Sequence, residues 1–280
     1  MADWLETYRG IVYRWEVDPN DHLTVAYYFA RIADAAQGLL RALGLGPSDA
    51  RTVDCFVRYQ RELRVGDIMH VDSGVIGTED DTLLLGHKLF DSGAAALCTT
   101  VEQRVRLVAA PSGDTERRIR DRRVAWDGPA RERRPRPRSL AGLRDSARDV
   151  VEPAEVDLSG RAGLSHYIHR FSAANGHAIA AFGMTPAYMR NEQRGFSTFE
   201  FQLEVTGPLL PGDGVRVQSG VLHVGNSSLR LLHVMSREPS GEVVATLEQS
   251  GVHFDQEARR PTPLPEPLRE RALALLLKAG

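Results

Sequence analysis

Two stretches of this chain are copies of one another. At an offset of 146 residues, 66–103 and 212–249 share twelve identities without a gap. They include Gly66-Asp67, Ser73-Gly74-Val75, His87 and Glu102-Gln103. Chance gives roughly two or three over that length, so an internal duplication is the simplest account. A chain of 280 residues has room for two domains of ordinary size. Whatever one copy folds into, the other must be able to fold into as well.

The first copy has a clear order of elements. Residues 8–15 alternate as a strand. From Val25 the period changes: Val25, Tyr28, Phe29, Ile32, Ala35, Ala36, Leu39, Leu40 and Leu43 fall three and four apart, the stripe of an amphipathic helix. Gly44-Leu45-Gly46-Pro47 ends it. Strand patterns follow over 53–63, 68–76, 82–90 and 94–107, separated by turn chemistry at Gly66-Asp67, residues 77–81 and Asp91-Ser92-Gly93. One long helix followed by antiparallel strands is an α+β unit whose sheet wraps the helix.

Between the first strand and the helix lies Trp15-Glu16-Val17-Asp18-Pro19-Asn20-Asp21-His22. Asp18, Asn20 and His22 gather at a strand-to-helix junction, where free N–H groups attract negative charge and can hold a developing oxyanion. The second junction is expected at Ala173-Ala174-Asn175-Gly176-His177, matching His22 to His177 at an offset of 155 and leaving the second copy nine residues shorter. Asp18 then meets Ala173, so the fold does not need the carboxylate, although Asp-Pro-Asn-Asp alone is ordinary turn chemistry. Glu62 meets Pro208 and is also confined to the first copy.

The expected organisation is repeat one over 1–108, an Arg/Pro-rich linker over 109–159, repeat two with a degenerate site over 160–256, and a tail over 257–280 with a short helix. Residues 131–138 read as a solvated linker in preference to a phosphate-binding patch. A net charge of −2 gives no reason to expect a nucleic-acid partner. No apolar run nears the length of a membrane span, and the first residues lack a signal-peptide pattern, so membrane insertion is not expected and the cytoplasm is the expected compartment. Cys55 and Cys98 fall in strand patterns as buried thiols.

On these residues the chain resembles the double hotdog acyl thioesterases. Asp18-Pro19 before a Tyr-rich helix resembles the 4-hydroxybenzoyl-CoA thioesterase branch, where the aspartate at this place is the catalytic carboxylate. Asp18-x-Asn20-x-His22 resembles the plant acyl-ACP thioesterases, in which a glutamate follows on the next strand; Glu62 occupies that place. Leu63 stands where the plant pattern has cysteine, which argues against a cysteine nucleophile. The resemblance covers both repeats but not the linker or tail. It implies a tandem hotdog, hydrolysis of an acyl-CoA or acyl-ACP, and no cofactor or metal. A further pairing of two chains into a homodimer stays open.

The resulting catalytic candidates are Asp18, Asn20, His22 and Glu62, with Asp18 as nucleophile or as general base. For Glu62 an ion pair with Arg61 or Arg64 has equal standing. Tyr27, Tyr28, Arg58 and Arg61 are the substrate-binding candidates, and for both tyrosines a core position is the alternative. His166 and His169 are expected on a strand, facing opposite ways, which disfavours a metal pair. His87 and His233 read as structural. Two other functions remain in view: a hotdog hydratase, whose Asp-x-Asn-Pro-x-His spacing differs by one residue from Asp18 to His22, and a non-catalytic acyl-CoA or lipid binder.

Overall fold

The apolar stripe after the junction folds as helix α1 (Val25–Ala42), which buries Ala26, Tyr28, Phe29, Ile32, Ala35, Ala36, Leu39 and Leu40 along one face. The structure is a computed structural model and describes residues 3–18, 20–132, 134, 137 and 139–278. Pro19 of the junction and Arg133, Pro135, Arg136 and Arg138 of the Arg/Pro run lie outside the described residues. The chain divides into two units, Met1–Arg131 with Ala154–Ile168 and Glu132–Pro153 with His169–Gly280.

In the first unit α1 lies on an antiparallel sheet of β1 (Leu5–Ile11), β2 (Ala50–Tyr59), β3 (Ile68–Glu79), β4 (Thr82–Asp91) and β5 (Ala96–Leu107), in the order β1-β3-β4-β5-β2. The first strand stops at Ile11, short of the expected Trp15. Glu16 is the reason: its buried carboxylate accepts the Tyr13 N–H at 3.0 Å and pairs with Arg31, folding residues 14–16 into a 3-10 turn. Helix α2 (Gly113–Asp121) follows β5, and its Ile119 joins Leu39, Leu40, Val75 and Leu85 in the core. The chain then crosses Gly74, pairing Val124 N–H with Val75 O at 3.0 Å. A Cβ on Gly74 would meet the Val124 side chain at 2.5 Å, so only glycine lets this arm pass.

The second unit repeats the plan. Helix α3 (Leu164–Ala180), which belongs to this unit from His169 onward, accompanies a sheet of β6 (Arg144–Val150), β7 (Arg194–Val205), β8 (Gly214–Val224), β9 (Ser228–Glu238) and β10 (Val243–Asp255), ordered β7-β10-β9-β8-β6, with the short β11 (Arg260–Pro261) on β10. Helix α5 (Glu266–Ala274) places Leu268 and Ala272 in a core with Ile179, Phe182, Val221 and Leu231. Its arm crosses Gly220 as the first arm crosses Gly74: Leu277 N–H donates to Val221 O at 2.8 Å, and a Gly220 Cβ would meet Leu277 at 2.8 Å. Each unit is a hotdog, a long helix held by an antiparallel sheet. Among the described residues no helix is long and apolar enough to cross a membrane.

Three sequence expectations are corrected. The segment 109–159 is not simply a linker, because α2 completes the first unit and β6 opens the second. Neither has an apolar period to read: α2 buries only Thr115 and Ile119, and β6 buries only Ser146. The tail beyond 257 likewise belongs to its repeat, since α5 matches α2. Lastly, 173–177 lies inside α3 and is no junction. The true helix offset is 139, matching Tyr28 to Tyr167 and Arg31 to Arg170. The second copy therefore has seven residues more than the first, not nine fewer, and helix α4 (Pro186–Glu192), seven residues long, accounts for them.

The recurring polar residues form one buried chain in each unit. In the first, Ser73 Oγ lies 2.7 Å from His87 Nδ1, His87 Nε2 lies 3.0 Å from Gln103 Oε1, and Gln103 Nε2 donates to Thr52 Oγ1 at 2.7 Å. In the second, Ser219, His233, Gln249 and Thr198 repeat it at 2.6, 3.3 and 2.7 Å. The amide oxygen can only accept, so Nε2 carries the proton and Nδ1 accepts from serine. Burial pushes both imidazoles down to a pKa of about 4.

Candidate active site

Asp18 closes a tight turn. Its N–H donates to His22 O at 2.8 Å, and its C=O accepts from Asp21 N–H at 3.0 Å. Its side-chain Oδ1 accepts from the N–H groups of Asn20 at 2.8 Å and His22 at 3.0 Å. Asp21 sits at φ 61°, a conformation that aspartate tolerates better than most residues. The turn pairs Val17 with Leu23 and brings His22 alongside Arg64.

The helix fixes the other wall. Leu63 is held from both sides, its O accepting from Leu23 N–H at 2.8 Å and its N–H donating to the Tyr28 hydroxyl at 3.2 Å. Glu62 is thereby carried to His22, with Oε2 3.1 Å from Nε2. Arg64 Nη2 stands 3.2 Å from the same nitrogen. A guanidinium only donates and a carboxylate only accepts, so Arg64 satisfies the bare nitrogen and Glu62 the protonated one. The ring therefore has a partner in either protonation state. Beyond the turn, α1 starts with the Tyr27 N–H donating to Thr24 O at 2.9 Å, and the N–H groups of Val25 and Ala26 precede the first turn that an α-helix can close on itself. Its N-cap, Thr24, makes no side-chain cap bond, and Thr24 Oγ1 is buried with no hydrogen-bond partner among the described residues.

The structure brings Asp18, Asn20, His22 and Glu62 to one junction. The substrate-binding candidates scatter more. Tyr28 is buried, with its hydroxyl engaged by Leu63 and its ring edge-on to Tyr59 at 5.3 Å; burial pushes its hydroxyl pKa up. Tyr27 is half-buried on the helix, and Arg58 is half-buried on β2 opposite Thr100. Arg61 faces Asp91 at 3.6 Å rather than Glu62. In the Arg/Pro run, Arg131 pairs with Asp54 at 2.9 Å and Arg134 with Glu200 at 2.6 Å. His166 and His169 lie on helix α3, not on a strand, so three residues apart they share a face; His166 Nδ1 is 3.4 Å from Glu155 Oε1. Cys55 and Cys98 are buried free thiols, and burial pushes Cys98 up to about 11.

The second junction lies at 157–161, and it has the aspartate. Asp157 N–H donates to Arg161 O at 2.8 Å, and Asp157 Oδ1 accepts from Ser159 N–H at 2.8 Å. The match of Asp18 to Ala173 is therefore overturned: the turn uses an aspartate in both copies. The signal was present in the sequence, where Glu16-Val17-Asp18 recurs as Glu155-Val156-Asp157. What the first junction alone has is Asn20, His22, Glu62 and Arg64, against Ser159, Arg161, Pro208 and Leu210.

Residues 12–133 and 151–272 each match the model of the thioesterase-like superfamily. The chain belongs to that superfamily. Membership places it among the thioester hydrolases of the hotdog fold, and the two matched segments include α2 and most of α5 as parts of the repeats. Similar solved structures agree on the fold. A protein assigned as an oleoyl thioesterase from Lactobacillus plantarum superposes at TM-score 0.70 with 11% identity, covering 90% of this chain and 96% of that one. An acyl-ACP thioesterase from Bacteroides thetaiotaomicron gives 0.66 and 12%, covering 88% and 96%. A 12:0-ACP thioesterase from Umbellularia californica gives 0.66 and 12%, covering 91% and 93%. No curated protein sequence matches this chain.

Proposed function

We propose that the first junction hydrolyses an acyl thioester carried on acyl carrier protein or coenzyme A. The observation behind this is the meeting of His22 with Glu62 at 3.1 Å beside the Asp18 turn, a pair that the second junction lacks while keeping the aspartate turn. Asp18 Oδ1 serves the turn, and Oδ2 serves as the base. Water attacks the thioester carbonyl and gives its proton to Oδ2, while the oxyanion draws on the N–H groups at the start of α1. As the tetrahedral intermediate collapses, the C–S bond breaks and the thiolate recovers that proton. Asn20 and the His22–Glu62 pair orient the carbonyl and water. The carrier-linked acyl substrates named for the similar structures support the substrate class.

The test is turnover and thermal midpoint for Asp18→Asn, Glu62→Gln and wild type on a panel of acyl-CoA and acyl-ACP thioesters. Asparagine retains the Oδ1 acceptor, so the Asp18→Asn protein keeps its fold while losing about 10²–10⁴ in rate. Glu62→Gln loses less. Wild-type turnover by a folded Asp18→Asn protein refutes this assignment.

A further inference from the structure

The two units differ in packing where the central helix meets the edge strand. In the first, the C-terminal half of α1 lies directly on β1: a Cβ on Gly38 would come within 2.9 Å of Thr7 O, and Leu5 and Leu39 pack into the core there. At the offset of 139, Leu5, Gly38 and Leu39 become Arg144, His177 and Ala178. The strand register supports the match, since Leu5 stands opposite Ser73 and Arg144 opposite the equivalent Ser219.

In the second unit a cavity of about 560 Å³ opens at this place, lined by Arg144, Ser146, His177, Ala178, Val221 and Leu276 among others. That volume is in the range that encloses small organic ligands. The origin is visible in the replacements: leucine to alanine withdraws the filler, and the exposed His177 stands where glycine let the strand close on the helix. Vacating a core position destabilises a fold, and the arginine that replaces leucine is exposed at the rim of the cavity. Asp145 also lines the cavity, and its carboxylate is committed to Arg216 at 2.5 Å. The result has one basic edge, Arg144 with His177, and one apolar wall, Ala178, Val221 and Leu276.

We propose that this cavity binds a small aliphatic carboxylate. The guanidinium of Arg144 takes the carboxylate in a bidentate pair, His177 supports it, and the chain lies on the apolar wall. The site is separate from the junction of the first unit and does not depend on the proposed hydrolysis there.

Decanoate is the probe, titrated into the full-length protein by calorimetry, with decanol as its neutral counterpart. Wild type binds decanoate in the second unit, and decanol at least roughly tenfold more weakly, as expected for loss of a charge-assisted hydrogen bond. Arg144→Leu, which restores the residue of the first copy at an exposed position, weakens decanoate about tenfold or more and leaves decanol unchanged. Ala178→Leu refills the cavity, removes binding of both and keeps or raises the thermal midpoint. Glu62→Gln leaves decanoate binding intact, which separates this site from the junction. Absence of binding to wild type, or equal decanoate affinity in wild type and both second-unit variants, overturns the proposal.

Discussion

The two buried histidine chains make acid the sharpest probe of this fold. His87 and His233 are fully enclosed, and burial lowers each from an ordinary value of 6.5 to about 4. In the unfolded chain both take up a proton as pH falls through about 6.5, while in the folded chain they stay neutral until about 4. Folding therefore has its full stability above pH 6.5 and loses it progressively between 6.5 and 4. By pH 5 the loss is about 2 kcal/mol for each histidine, or about 4 kcal/mol for the pair. That is a large share of the roughly 5–15 kcal/mol that holds a typical domain. The assay is urea unfolding at pH 8 and pH 5 for wild type, His87→Gln, His233→Gln and the double variant. Glutamine lowers stability at both pH values but does not titrate. Each single variant should narrow the gap between the two pH values by about 2 kcal/mol, and the double variant by about 4. If the double variant loses as much stability between pH 8 and pH 5 as wild type does, the histidines are not the acid-sensitive groups and their burial does not govern the response to acid.

Three further outcomes are set by the packing. Gly220→Ala forces a Cβ to within 2.8 Å of Leu277 and should cost about 1–3 kcal/mol, read as a fall in unfolding midpoint. Tyr28→Phe removes the acceptor for Leu63 N–H and should cost about 1–2 kcal/mol. If Leu63 carries Glu62 to His22, it should lower turnover as well, whereas a stability loss with wild-type turnover separates the two roles. Cys55 and Cys98, buried and with raised pKa values, should resist a thiol reagent in the native protein and react only on unfolding; rapid native labelling contradicts their burial.

The sequence carried the long helix and the strands after it, because α1 and β2 to β5 have one strong apolar face and punctuated ends. The buried His87 and His233 were legible from duplication alone, as matched polar residues inside apolar strands. The edges were not. In β6, Arg144–Val150, Ser146 is the one buried residue, so no alternation marks it as a strand. In α2 charged residues outnumber apolar ones, and of the two residues that anchor it, Thr115 and Ile119, only one is apolar. The junction was half legible. Asp18, Asn20, His22 and Glu62 do converge, but the partners of His22 and Glu62 depended on how Leu63 is held, a contact between residues far apart in sequence. Aligning the wrong histidines hid Asp157, and with it the turn that both copies share.

The glycines under the two arms also say where this chain can be divided. Each arm is locked across its own sheet by a helix that follows the last long strand, so the duplicated module ends at the arm and not at the strand. A cut near 109 or 257 would strip a module of its closing piece and expose the face that Ile119 or Leu268 covers. Among the described residues between Asp127 and Leu143 none lies in a helix or a strand, and Arg131 and Arg134 there pair with Asp54 and Glu200. This stretch is the place to insert a tag or lengthen the connection with α2 and α5 each left on its own sheet.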